Sequence, residues 1–156
     1  MNKQLDKDIL AVVATVSTEQ WDHLATLVDA VDPRDYGAWV GGNVTGHTEA
    51  GAPIISMPFF YWSEALNQLV DTLYEYNLVY PFDWMEWSDA TRWGDSDVPI
   101  AEQTVPDLIK FTTAVLRADR FAEGTLSRAI RESDFLGRLT SIITQSRPHS
   151  KATPPQ

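Results

Sequence analysis

The sequence predicts a mainly helical (α+β) domain in which five to six helices pack around a small two-stranded or irregular β element near residues 36–60. Three observations predict this fold. Apolar residues recur at helical spacing on both sides of the β element. Glycine and proline interrupt residues 36–60, where helical spacing is lost. With 156 residues, 44% of them hydrophobic, the chain is long enough to bury one core.

An apolar stripe and a capping signal predict the first two helices. The stripe that begins at Leu5 and Ile9 indicates a helix over about residues 4–15. Ser17 and Gln20 have the spacing of a capping box, in which each side chain bonds the other residue's free backbone amide. A second helix should therefore start there and end before Pro33.

The β element is predicted from two apolar pieces, residues 38–40 and 54–57, which we expect to form two short strands joined by a loop. Trp39, Phe59, Phe60 and Trp62 lie close together in this part of the sequence. Any of these rings that stays exposed could form the contact of a homodimer.

The remaining helices follow from similar signals. A third helix is expected over about residues 63–76, and Asn77 can take the left-handed conformation that ends it. A fourth should begin near Thr104, and two shorter ones should follow, the last entered through Asp134. We predict a single globular domain over residues 1–145 and a disordered tail over residues 146–156, which are polar and rich in proline.

The motifs of several enzyme classes are absent. The chain has no cysteine, no phosphate-binding loop, no Gly-x-Ser-x-Gly elbow and no His-Glu-x-x-His pair. His23 and His47 are the histidines within the predicted domain that could act as a base or ligand. We therefore name no catalytic residue, expect no cofactor and no metal, and favour a protein that is not an enzyme, although that remains open.

Charge is distributed unevenly along the chain. The net charge is −10, but residues 1–109 carry four basic and 18 acidic side chains, a net −14, whereas residues 110–156 carry a net +4. An acidic field of this kind repels nucleic-acid phosphates and attracts cationic surfaces. It predicts either a solubilising surface or an acidic face that docks on a basic protein.

The first distinctive segment, residues 81–87, has the sequence PFDWMEW and extends through Arg92 and Trp93. Its aromatic side chains alternate with carboxylates. One interpretation is an aromatic pocket floored by carboxylates, suited to a cationic or planar ligand. The other is an irregular segment anchored to the core by its aromatic rings. The candidate binding residues are Asp83, Trp84, Glu86 and Trp87.

The second segment, residues 117–124, has the sequence RADRFAEG, and its candidate binding residues are Arg117, Arg120 and Glu123. One interpretation places Arg117 or Arg120 in an anion site. The alternative is a charged corner in which Arg120 forms a buried pair with Asp83 or Glu86, because a planar guanidinium suits carboxylate pairing.

These two motifs, together with Gly51-Ala52-Pro53 and Met57-Pro58, resemble the DUF6508 family of small uncharacterised proteins from bacteria and their phages. The resemblance covers roughly residues 36–145, so the N-terminal helices and the tail are expected outside it. It implies no activity and no catalytic residue. It does imply a bacterial host cell, and since neither a signal peptide nor a membrane span is evident, we expect a cytoplasmic location.

We therefore expect an acidic, non-enzymatic protein-binding domain, such as a phage or mobile-element inhibitor that docks on the basic, nucleic-acid-binding surface of a host defence protein. The alternative is a small-molecule-binding or enzymatic domain with a site built from both motifs. A third interpretation, nucleic-acid binding through arginines of the C-terminal helices, is disfavoured by the overall charge. Those arginines are Arg128, Arg131, Arg138 and Arg147.

Overall fold

The computed structural model describes residues 2–88 and 98–148, and it confirms the mainly helical fold. Arg92, Trp93 and most of the predicted tail lie outside the described residues. The described part contains six α-helices and one 3₁₀ turn, Ile100–Glu102. The helices are α1 (Lys3–Val13), α2 (Thr18–Ala30), α3 (Glu64–Glu75), α4 (Val105–Asp119), α5 (Thr125–Glu132) and α6 (Phe135–Ser146).

Side-chain caps fix where most of these helices begin, as the sequence predicts. Ser17 and Gln20 form the expected capping box at the start of α2. The Thr104 hydroxyl accepts a hydrogen bond from the backbone N–H of Asp107 and so caps α4. Asp134 caps α6 in the same way. Asn77 has a φ of 60°, which is the left-handed exit expected after α3.

The β element is a long, interrupted hairpin, the β arm (residues 37–62). Strand β1 (Gly37–Val40) pairs with β4 (Phe59–Trp62), and β2 (Val44–His47) pairs with β3 (Pro53–Ile55), both antiparallel. Hydrogen bonds from Gly42 N to Ser56 O (2.8 Å) and from Ser56 N to Asn43 O (3.0 Å) connect the two pairs.

The expected pairing of residues 38–40 with residues 54–57 is therefore wrong in register. Residues 38–40 pair with residues 59–61, and residues 54–55 belong to the outer pair. The chain bends at Gly41, whose φ is +97° and where an added Cβ would lie 2.5 Å from the Met57 carbonyl oxygen. Only glycine allows this close approach. The two strand pairs can therefore follow each other across the bend, and the chain does not turn back directly after residue 40.

Helix α4 lies at the centre of the core. It packs against α1, α5 and α6, while α2 packs against α3 and α6. Large apolar side chains from every helix and from the turn after α3 are almost completely buried together. They are Ile9, Trp21, Leu24, Leu66, Leu69, Leu73, Leu78, Leu108, Ile109, Leu126, Phe135 and Leu139.

The β arm attaches to this core by its base and exposes its outer part. Phe60 and Trp62 are half-buried against the core, whereas Trp39 and Phe59 are 56% and 44% exposed. The four rings named as a dimer contact are thus divided between the core and the surface, and the homodimer stays a prediction.

A buried hydrogen bond holds the start of the arm to helix α5. The hydroxyl group of Tyr36 donates to the carbonyl oxygen of Ser127 at 3.1 Å and lies 3.0 Å from the Ser127 hydroxyl. Tyr36 is only 7% exposed, so these contacts replace the water that the hydroxyl would otherwise bind.

Tyr36→Phe should lower the free energy of unfolding by about 1 kcal/mol, because a buried hydrogen bond is lost. Tyr61→Phe is the matched control, since Tyr61 is 62% exposed. Chemical denaturation of the three proteins measures the difference. If both variants unfold at the same denaturant concentration, the Tyr36 hydroxyl does not stabilise the attachment.

Candidate functional site

Residues 81–87 form a compact irregular turn. The backbone N–H of Trp84 donates to the Phe82 carbonyl at 2.8 Å, and that of Trp87 donates to the Trp84 carbonyl at 3.3 Å. A carboxylate oxygen of Asp83 accepts from the backbone N–H of Glu86 at 3.4 Å. Asp83 therefore bends back over its own segment, as short polar side chains often do in turns.

The aromatic rings of this turn belong to two different clusters. Phe82 and Trp87 meet edge to face, with ring centroids 5.8 Å apart and an interplanar angle of 77°. Trp84 stacks instead on Phe121 of the second motif, at 6.4 Å and 28°. The two sequence motifs are thus neighbours in space, joined by the Trp84–Phe121 contact.

The second motif builds a corner that holds the β arm and starts α5. Glu123 accepts a hydrogen bond from the backbone N–H of Phe60 at 2.7 Å. Asp119 accepts one from the backbone N–H of Leu126 at 2.9 Å, which supplies the cap that Gly124 cannot give to α5. Gly124 has a φ of +96°, and the Trp39 ring lies 3.3 Å from where its Cβ would be.

Arg117 and Arg120 surround a single tyrosine. Their guanidinium carbons lie 5.5 Å and 5.3 Å from the centroid of the Tyr74 ring. The expected buried pair of Arg120 with Asp83 or Glu86 is wrong, because all three side chains are exposed and no ion pair joins them in the described residues. The physical reason is local: Asp83 closes its own turn and Arg120 stacks on the tyrosine.

One cavity of the described residues is an acidic groove of about 890 Å³. Helix α1, the turn of residues 81–87 and the start of α4 form its walls. Tyr80, Phe82 and Trp87 supply its aromatic surface. Its charged side chains are five carboxylates and one ammonium group. They are Asp6, Asp8, Asp83, Glu86, Asp107 and Lys110.

Lys110 neutralises part of that charge. Its ammonium nitrogen lies 2.6 Å from a carboxylate oxygen of Asp6 and 3.7 Å from one of Asp107. The Lys110 side chain is 7% exposed, whereas Asp6 and Asp107 are 28% and 31% exposed. Asp8, Asp83 and Glu86 lie outside this ion-pair network, so the groove keeps an excess of negative charge.

The same turn has a second, smaller cavity on another side. This arginine groove, of about 300 Å³, is lined by Pro81, Phe82, Trp84, Thr113, Arg117, Arg120 and Phe121. The predicted binding residues thus divide into two groups. Asp83, Glu86 and Trp87 line the acidic groove, and Trp84, Arg117 and Arg120 line the arginine groove. Glu123 lines neither of these two and acts at the corner.

The four C-terminal arginines considered for nucleic-acid binding lie in different environments. Arg138 is 4% exposed, donates to the Ser133 carbonyl at 2.7 Å and lies 4.4 Å from the Phe111 ring centroid. Burial lowers the pKa of Arg138 from its usual value. Arg128 and Arg147 pair with Glu132 and Asp22, respectively.

Both candidate histidines, His23 and His47, are exposed and line neither groove. Within residues 2–88 and 98–148 no group of three His, Cys, Asp or Glu side chains is placed to hold a metal ion. None of the described helices has the length and apolar character needed to cross a membrane.

Sequence reasoning missed the other four charged residues of the groove, Asp6, Asp8, Asp107 and Lys110. They are far from the 81–87 motif in sequence and reach it through the packing of α1 against α4. The i, i+3 spacing of Asp107 and Lys110 was the available signal, since side chains three apart are neighbours on a helix.

Arg120→Ala should lower the free energy of unfolding by no more than about 1 kcal/mol, the size of an exposed cation–π contact. Arg138→Ala should cost about 2 kcal/mol or more, because it removes hydrogen bonds of a buried charge. Thermal unfolding of both variants gives the comparison. An equal or larger loss for Arg120→Ala would mean that Arg120 has a structural partner that this geometry lacks.

Asp119→Ala should destabilise the protein by about 1 kcal/mol, since the start of α5 loses its cap. Asp119→Asn keeps the accepting oxygen and should remain close to the parent protein. Urea unfolding distinguishes the two. Equal destabilisation by both substitutions would show that the charge of Asp119, rather than its hydrogen bond, stabilises the corner.

Comparison with known proteins assigns the chain to one family. The model of a family of unknown function (DUF6508) matches residues 16–148. The match begins at residue 16, so α2, which the sequence analysis placed outside the resemblance, lies inside it. No curated protein and no solved structure matches the chain.

Proposed function

The chain belongs to the DUF6508 family, whose function is unknown, and we propose that it is a non-enzymatic binding domain whose acidic groove receives a basic side chain from the surface of a partner protein. The observation that supports this proposal most directly is the combination of excess carboxylates and aromatic walls in one groove. Such a groove complements an arginine or lysine both in charge and in shape.

The carboxylates supply the attraction. Asp83 and Glu86 are exposed in the turn of residues 81–87, and Asp8 is half-buried on the α1 wall of the groove. An opposite charge about 4 Å away gains roughly 4 kcal/mol at the effective dielectric constant of a protein surface, before the loss of hydration is subtracted. Lys110 provides an internal example, since its ammonium group already lies between Asp6 and Asp107.

The aromatic walls supply selectivity for a side chain over a simple ion. Phe82 and Trp87 are held edge to face, so the groove has a rigid aromatic surface next to its carboxylates. A guanidinium or ammonium group over an aromatic face gains about 0.5–2 kcal/mol, and the aliphatic stem of the same side chain packs on the ring edges.

The charge of the whole chain favours a protein partner. The net −14 of residues 1–109 extends the acidic field well beyond the groove. Complementary fields of this kind increase the association rate and select partners by charge. The partner class that fits best is a protein with a strongly basic surface, such as one that binds nucleic acid. An inhibitor of a host defence protein is one role for such a domain.

Asp83→Asn with Glu86→Gln should weaken binding of a tetra-arginine peptide about tenfold, a change of about 1.4 kcal/mol. Asp29→Asn with Asp35→Asn is the matched control, because it removes the same charge at exposed positions outside the groove. Isothermal titration calorimetry at low and high salt measures both. For the unchanged protein, high salt should weaken binding through screening.

Two results would contradict the proposal. Equal weakening by the groove variant and the control variant would show that only net charge matters. Affinity that does not change with salt would show that the carboxylates do not hold the peptide.

A further inference from the structure

We propose that the arginine groove is a second binding site, separate from the acidic groove, and that it takes a small anion in which a phosphate or carboxylate group is attached to a planar ring. The proposal is independent of the function proposed above, because the two grooves share only Pro81 and Phe82 among their lining residues.

The two arginines provide the anion-binding groups. Arg117 is half-buried and Arg120 exposed, and neither forms an ion pair within the described part of the chain. They are three residues apart at the end of α4, so they are neighbours on the helix surface. Stacking around Tyr74 restricts both guanidinium groups, which lowers the entropy lost when an anion binds.

The position of these arginines at a helix end also has a structural explanation. Cations near a helix C-terminus are stabilised by the helix dipole. That effect accounts for the positive charge at this end of α4 but does not require a cavity beside it. The groove of about 300 Å³ brings both arginines together with two stacked aromatic rings, and this is the combination that a ring-bearing anion would use.

The aromatic side chains define the rest of the ligand. Trp84 and Phe121 are stacked at the edge of the groove, and Phe121 is 83% exposed. The Phe121 ring therefore keeps free surface beside Trp84 that a planar ligand can cover. A planar ring can extend the stack while its phosphate or carboxylate meets the guanidinium groups, which bind both anions in a bidentate manner. The cavity volume lies at the lower end for small-molecule sites.

The test uses the full chain and four probes: adenosine monophosphate, benzoate, inorganic phosphate and adenosine. Calorimetry should detect binding of adenosine monophosphate, of benzoate or of both, and weaker binding of phosphate, whereas adenosine lacks the anion and should not bind. Whichever ring-bearing anion binds identifies the source of the anion as phosphate or carboxylate.

We expect the affinity for the ring-bearing anion to fall about tenfold or more in Arg117→Gln and in Arg120→Gln, as expected for the loss of a charge-assisted hydrogen bond. Arg117→Lys keeps the positive charge but loses the forked guanidinium group. Its affinity should therefore lie between that of Arg117→Gln and that of the parent protein. Arg131→Gln, at an exposed position on α5 outside the groove, should have no effect. Trp84→Leu should lower the affinity for the ring-bearing anion but leave the affinity for inorganic phosphate unchanged.

The proposal would be overturned if neither adenosine monophosphate nor benzoate bound to the parent protein at low salt, even if inorganic phosphate did. It would equally be overturned if Arg131→Gln reduced affinity as much as Arg117→Gln, since binding would then reflect general charge. Neither result affects the acidic groove, whose test uses a cationic peptide and different variants.

Discussion

The burial of helix α4 is the constraint on which the rest of the structure depends. Eleven of its 15 residues are buried, so this helix has no solvent-facing side for most of its length. An apolar helix of that kind must be surrounded, and α1, α5 and α6 pack directly against it. Even its buried polar side chains have partners: Thr113 accepts a hydrogen bond from the backbone of Tyr80, and Lys110 meets Asp6. Both contacts place neighbouring segments on the helix.

The two ends of α4 lie beside grooves of opposite charge. Near its start, Asp107 and Lys110 join Asp6 in the lining of the acidic groove. At its end, Arg117 and Arg120 stack around Tyr74 beside the arginine groove. The turn of residues 81–87 lies between them and contributes aromatic walls to both. A single buried helix therefore sets the positions of two candidate sites, and the charge asymmetry seen along the sequence becomes an asymmetry in space.

Local signals predicted the parts of the structure that depend on neighbouring residues. The apolar stripes, the Ser17–Gln20 capping box and the left-handed Asn77 set the helices because each acts within one or two turns. The register of the β arm depends on a close approach at Gly41, which composition does not reveal. The predicted Asp83–Arg120 pair does not form, because Asp83 bonds the backbone of its own turn and Arg120 lies over the Tyr74 ring. Groove residues on α1 were missed because only tertiary packing brings them to the 81–87 turn.

The most direct test of two separate sites of opposite sign uses the indole N–H signals of Trp87 and Trp84, which line the acidic and the arginine groove, respectively. Nuclear magnetic resonance titrations of one sample with a basic peptide, and of another with a ring-bearing anion, record both signals at once. The structure predicts that the peptide shifts the Trp87 signal and the anion shifts the Trp84 signal, each without the other. Movement of both signals by both ligands, or of neither by either, would contradict the assignment of two independent grooves.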